Sequence, residues 1–208
     1  MASHSKSSVR QRSTLDLFRN LRNARVAIFH PKDDNRDILV QQLQRIGCQT
    51  VTIWPPLADL PEGTDIVFFL LNAEASDKKK LAWLTPASAI PLIGIVEYEN
   101  PTILDTATSL GCHGILVSPV HHNGILSTLI MAIHHCQQLR LLNKRNQRLE
   151  QKLQASNQIS AAQAVLARTR DIGAVEAYKI MREQAMLKRV PIEEIARAIL
   201  HADGILHR

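Results

Sequence analysis

The chain has 208 residues, is 45% hydrophobic and carries a net charge of +6, enough to bury one large or two small cores. No apolar run reaches the roughly 18 residues that crossing a bilayer needs, and the N-terminal MASHSKSSVRQRS lacks the apolar core of a secretory signal. Cys48, Cys112 and Cys136 stand alone with no CxxC spacing, which points to reduced thiols in the cytoplasm and away from a disulfide framework or zinc site.

Residues 1–13 are rich in Ser, Lys and Arg and read as flexible, followed by a short helix over LDLFRNLRN capped by Ser13 or Thr14. ARVAIFHP is a short apolar run ending at a proline, a buried parallel strand. Asp34 to Ile46 places Ile38, Leu39, Leu43 and Ile46 at helical spacing and closes at Gly47. A second strand runs from Thr50 to Trp54, a third from Asp65 to Leu71 and a fourth from Pro91 to Val96, with a weak helix from Lys78 to Trp83. Pro101 to Leu110 is a helix ending at Gly111, Gly114 to Val117 the fifth strand, and Asn123 to Cys136 a last helix. Strands alternating with helices predict a doubly wound, flavodoxin-like parallel sheet over residues 23–136.

From Gln137 to about Gln158 the pattern changes. Leu139, Leu142, Asn146, Leu149 and Leu153 recur at 3-4-3-4 spacing, the seam of a coiled coil, with an Asn that favours a two-stranded parallel register. The same pattern also suits a long amphipathic helix packed on its own domain. His135 and Ala132 lie on the backward extension of the seam. Three helices follow in residues 159–208: one continuing to a break at Gly173, a second from Val175 to Lys188 with Ala177, Ile180, Met181 and Ala185 as its apolar stripe, and a third opened by Pro191 with Ile192, Ile195, Ala196 and Ile199 facing inward. Charge follows this division: residues 25–136 hold seven Lys/Arg against eleven Asp/Glu, whereas residues 137–208 hold thirteen against seven. Such asymmetry is expected when only the back half meets a polyanion.

The order of strands and helices, with the turn GCHGILVSPV, resembles a response-regulator receiver domain. That resemblance implies a phosphoacceptor Asp ending the third strand, an acidic pair ending the first, a hydroxyl ending the fourth and a Lys before the proline after the fifth. Clustered carboxylates would hold Mg²⁺, and the Lys and hydroxyl would stabilise the phosphoryl group. Here His30-Pro31, Leu70, Val96 and Ser118 stand at those positions, so the domain is expected to be a pseudoreceiver without phosphotransfer chemistry. GxSxG, P-loop, HExxH and GxGxxG motifs are missing, so no enzyme class, cofactor or metal site is indicated. The adjacent pairs His121-His122 and His134-His135 invite a metal site, but His134 and His135 point about 100° apart on a helix and do not chelate one ion easily. Trp54, Pro55, Pro56 and Tyr98 lie on the sheet edge where ligands and partners bind in open α/β folds.

The tail resembles the ANTAR domain of transcription antiterminators. Ile159, Ala162, Leu166, Ala177-Tyr178, Met181-Arg182, Ala185-Met186, Arg189 and Ile195-Ala196 fall on the family pattern, whereas Gln163, Ala164 and Ala167 replace its Lys, Gly and Met. Residues 15–200 as a whole, including QLQRIGC, WPP, VEYENP and CHGILVSPV, resemble the antiterminators of aliphatic amidase operons. What the resemblance implies is a homodimer that binds leader RNA hairpins. It also implies silencing by an amide-sensing protein of periplasmic-binding-protein fold in the cytoplasm. For RNA, Tyr178 is the candidate stacking residue and Arg168, Arg170, Lys179, Arg182, Lys188 and Arg189 the candidate phosphate contacts. A DNA-binding response regulator and a dimeric adaptor that binds only the sensor are the alternatives.

Overall fold

The structure, a computed structural model, describes residues 21–72, 81, 83–84 and 90–206. Most of the expected helix over residues 15–23 and most of the weak helix from Lys78 fall outside these residues. Two compact units divide at Arg140 and Leu141.

In the first unit, β1 (Arg25–Phe29), β2 (Gln49–Ile53), β3 (Ile66–Leu71), β4 (Leu92–Val96) and β5 (Gly114–Val117) form one parallel sheet in the order β2-β1-β3-β4-β5. Every residue of β3 and β4 is buried, as near-continuous apolar runs with both faces covered must be. One face sends Val26, Ile28, Phe68, Leu70, Ile93 and Ile95 toward Leu39 and Leu43 of α1 (Asp34–Ile46) and Ile125, Leu129 and Ala132 of α3 (His122–Arg170). The other sends Ala27, Phe29, Val67, Phe69, Leu71 and Val96 against Leu81, Leu84, and Ala107 of α2 (Pro101–Ser109). Trp83 closes this second layer, stacking on Phe29 at 4.9 Å between ring centroids.

Capping chemistry fixes the helix ends, at Gly47 as the sequence indicates and at two N-caps it does not announce. Asp33 accepts from Arg36 N–H at 2.9 Å to start α1, and Gly47 at φ 103° ends it. Asn100 accepts from Ile103 N–H at 2.8 Å ahead of Pro101 at the start of α2. The start of α3 differs from the expected Asn123, because Asn123 and Gly124 (φ 97°) are non-helical and regular turns begin beyond them. Ala132 also departs from the extended seam. It is fully buried in the sheet's core, since here the helix packs on its own domain.

In the second unit, α3 continues to Arg170, and α4 (Ala174–Lys188) and α5 (Ile192–Leu206) complete a three-helix cluster. Ala162, Met181 and Ala196 are fully buried, with Ile159, Leu166, Ile192, Ile195 and Ile199 partly covered around them. The break after α3 is made by Asp171 at φ 51°, not by Gly173, which sits in ordinary extended backbone as the first cap of α4. No helix among the described residues is long and apolar enough to cross a membrane.

Candidate nucleic-acid interface and docking edge

At the C-terminal edge of the sheet, where a receiver domain would carry its acidic pair, His30 is buried at 2% exposure. Its Nδ1 lies 3.0 Å from the Pro31 carbonyl and 3.2 Å from Asp33 Oδ1. Asp33 is occupied as the α1 cap and also accepts from Asn35 Nδ2 at 3.3 Å. Leu70 is buried beside Ile95, its partner in the β3–β4 register, and Val96 ends β4 fully buried. Ser118 precedes a cis bond to Pro119. Its hydroxyl and His30 Nε2 are buried without a hydrogen-bond partner among the described residues. Across that edge the groups that should share a metal and a phosphoryl are an imidazole, two aliphatic chains and one hydroxyl. No described cluster of three or more His, Cys, Asp or Glu residues could hold a metal ion.

Trp54 and Tyr98 reach solvent from the same edge, Trp54 just beyond β2 and Tyr98 just beyond β4. Trp54 is joined to Pro55 by a cis bond, and Pro56 continues the turn. β1 and β3 lie between the two strands, so the aromatic residues are three strand spacings apart, roughly 14 Å. They border one rim and do not form one pocket wall.

Leu139, Leu142, Leu149 and Leu153 all stay exposed along α3, Leu153 at 63%, and Asn146 is exposed between them. A row of leucines on an otherwise polar helix is costly to leave in water. The hairpin of α4 and α5 does not cover it. That hairpin seats on Ile159, Ala162 and Leu166 instead.

Along α4, Ala177, Met181 and Ala185 turn inward, which places Tyr178, Lys179 and Arg182 on the outward side. Tyr178 is 42% exposed. Val175 and Met186 share this outward face, at 86% and 64% exposure. Neither is among the candidate RNA contacts that the sequence offers, although 175-178-182-186 keeps the 3-4-4 spacing of one helix face. Lys188 ends α4, and Arg189 follows as its left-handed cap at φ 54°. Arg170 ends α3, exposed. Two polar residues are already engaged. Arg168 Nη2 donates to Asp203 Oδ1 at 3.1 Å, and Gln163 Nε2 donates to the Ala174 carbonyl at 2.7 Å. The position where the ANTAR pattern has Lys therefore ties α3 to the start of α4.

Comparison with known proteins agrees with this division. The family model described as AmiR, N-terminal, matches residues 24–133, and that of the ANTAR domain matches residues 147–200. The aliphatic amidase regulator of Pseudomonas aeruginosa is 29% identical over 191 residues, which span 90% of this chain and 96% of that protein. Among solved structures, the receiver domain of a modulated diguanylate cyclase from Desulfovibrio desulfuricans G20 covers 56% of this chain and 98% of its own, at 19% identity and TM-score 0.45. A response regulator from Thermotoga maritima covers 54% and 98%, at 12% identity and TM-score 0.44. With both family models matched in turn along it, the first over more than half its length, the chain belongs to the AmiR family, whose members are regulators and not enzymes.

Proposed function

We propose that this protein is an RNA-binding antiterminator of an amidase-type operon. It binds leader RNA hairpins as a coiled-coil dimer, and a ligand-sensing partner of periplasmic-binding-protein fold sequesters it. Residues 23–136 are the pseudoreceiver, 137–158 the dimer coil and 159–208 the RNA-binding domain. The observation that carries the reading is the outward face of α4, where a half-exposed Tyr178 stands next to Lys179 and one turn before Arg182 inside the ANTAR match. Hairpin loops offer unstacked bases to aromatic planes and phosphates to cations. Arg170, Lys188 and Arg189 extend the cationic rim, whereas Arg168 is already paired with Asp203. The exposed leucine seam supports the dimer, and two RNA faces on one coil raise the effective concentration at a two-hairpin target without new contacts. The rim bearing Trp54, Pro55, Pro56 and Tyr98 is the surface offered to the sensor.

The test is binding of the purified protein to a two-hairpin leader RNA from its own operon, with duplex DNA of the same region as control, at two salt concentrations. We expect hairpin-dependent binding that weakens with salt, and a loss of about 1–3 kcal/mol in Tyr178→Ala, the size of one base–aromatic stack. Equal affinity for RNA and DNA, or none for either, overturns the reading and leaves a dimeric adaptor in its place.

A further inference from the structure

Arg168 and Asp203 meet across 35 positions of sequence, with Nη2 at 3.1 Å and 3.4 Å from the two carboxylate oxygens. Arg168 lies in the last turn of α3. Asp203 lies in α5, beyond residue 200 where the ANTAR match ends. The core that the pair spans is thin: of Ala162, Met181 and Ala196, its fully buried members, two are alanines. Methyl groups allow close approach, but they present low ridges and few grooves, so they constrain the crossing angle of two helices weakly. Polar ties at the rim therefore have more to decide. Gln163 fixes the start of α4 against α3, and Arg168 fixes the far end of α5 against the same helix. Asp203 is the more enclosed partner, at 24% exposure against 66% for Arg168.

We infer that Arg168 is a positioning residue: through Asp203 it sets where α5 lies on α3, and so how the cluster presents the outward face of α4, and it does not itself grip phosphate. The inference rests on the RNA-binding reading above. The two roles predict opposite behaviour at Asp203. Were Arg168 a phosphate contact, Asp203 would compete with the RNA. Asp203→Asn would then tighten binding, and Arg168→Gln would reduce the slope of log K against log salt by about one. For a clamp, Asp203→Asn and Arg168→Gln each weaken binding about threefold, the scale of an exposed ion pair, with the salt slope unchanged. Combining the two substitutions costs no more than either alone, because both remove the same tie.

The experiment titrates hairpin RNA into the full-length wild type, the two single variants, their double, and the swapped pair Arg168→Asp with Asp203→Arg. It is run at a temperature where circular dichroism shows all of them fully folded, so a change in bare stability does not move the affinity. Weakening in both single variants with recovery in the swapped pair supports the clamp. Unchanged or tighter binding by Asp203→Asn, or a reduced slope in Arg168→Gln, overturns it while leaving RNA recognition standing. Absence of RNA binding by the wild type overturns both readings together.

Discussion

His113 shows how much one side chain can hold in this fold. Its backbone N–H donates to the Leu92 carbonyl at 2.7 Å, and its ring Nδ1 accepts from Leu92 N–H at 3.2 Å, so one residue joins the start of β5 to β4 twice. The ring meets His135 of α3 edge-on at 5.9 Å. Burial first, and the neighbouring His135 second, push its pKa below the usual 6.5. Protonating Nδ1 would cancel the bond from Leu92 and place a cation beside a second imidazole. The unfolded chain therefore binds the proton more readily than the folded one, and stability rises with pH in that window. His113's contribution is complete above pH 6.5 and is lost as pH falls below that value through the depressed folded pKa. Urea unfolding of the wild type between pH 7.5 and 5 should show this decline, and His113→Gln should flatten it. An equal decline in the variant would assign the pH dependence to other groups. The thiols are not competitors in that range, because burial raises Cys48 and Cys136 and pushes Cys112 up to about 12.

Among the elements, α3 does three jobs with three faces. Near its start Ile125, Leu129, Ala132 and Cys136 are buried against the sheet. In its middle the seam from Leu139 to Leu153 is bare, and near its end Ile159, Ala162 and Leu166 hold α4 and α5. At roughly 100° per residue, the packed stripe of the last part lies on the order of 140° around the helix from the seam. A second copy can therefore occupy the seam without displacing the hairpin. Leu149→Asp should convert a dimer to monomer in light scattering at micromolar concentration, with the circular dichroism of the sheet domain retained. A variant that stays dimeric would remove the seam from the proposal. Asn146→Leu should give a more heat-resistant assembly that no longer holds one stoichiometry, because an amide buried in the proposed dimer selects the register at the cost of stability. Much of this architecture was legible in the sequence. Periodicity located α1 from Asp34 to Ile46 and β5 from Gly114 to Val117, and the cap residues marked where helices stop. Extending the heptad backward to Ala132 failed, because spacing alone does not say which stretch of a helix its own domain already covers. Gly173 drew attention as a breaker, yet the left-handed turn fell on Asp171, whose short polar side chain tolerates that conformation. The ties from Gln163 to Ala174 and from Arg168 to Asp203 join residues 11 and 35 positions apart. No local pattern announces contacts of that kind.

At the scale of the molecule, the division of charge and the division of chemistry coincide. Residues 25–136 carry the acidic excess and the receiver-like sheet, and residues 137–208 carry thirteen Lys/Arg against seven Asp/Glu. Such a division favours a polyanion meeting the second segment, as the proposed RNA binding requires. The sheet cannot be switched by phosphate transfer through Leu70, which has no acceptor atom, so Mg²⁺ with a phosphate analogue should leave RNA affinity unchanged. Measurable Mg²⁺-dependent uptake would restore a phospho-switch. In the proposed reading control arrives as a binding event, and the proposed surface is the rim bearing Trp54 and Tyr98, far along the chain from Tyr178. Two separate surfaces imply a definite genetic order. Trp54→Ala with Tyr98→Ala should weaken capture by the sensor, so that antitermination in a reporter strain no longer needs inducer, while RNA affinity in vitro stays at the wild-type value. Tyr178→Ala should abolish the reporter signal under all conditions. Combined, the substitutions should behave as Tyr178→Ala alone, because release from the sensor is useless to a protein that cannot hold RNA. Should Trp54→Ala with Tyr98→Ala instead lower RNA affinity itself, the rim would belong to the RNA surface, and the sensor's docking site would have to be sought elsewhere.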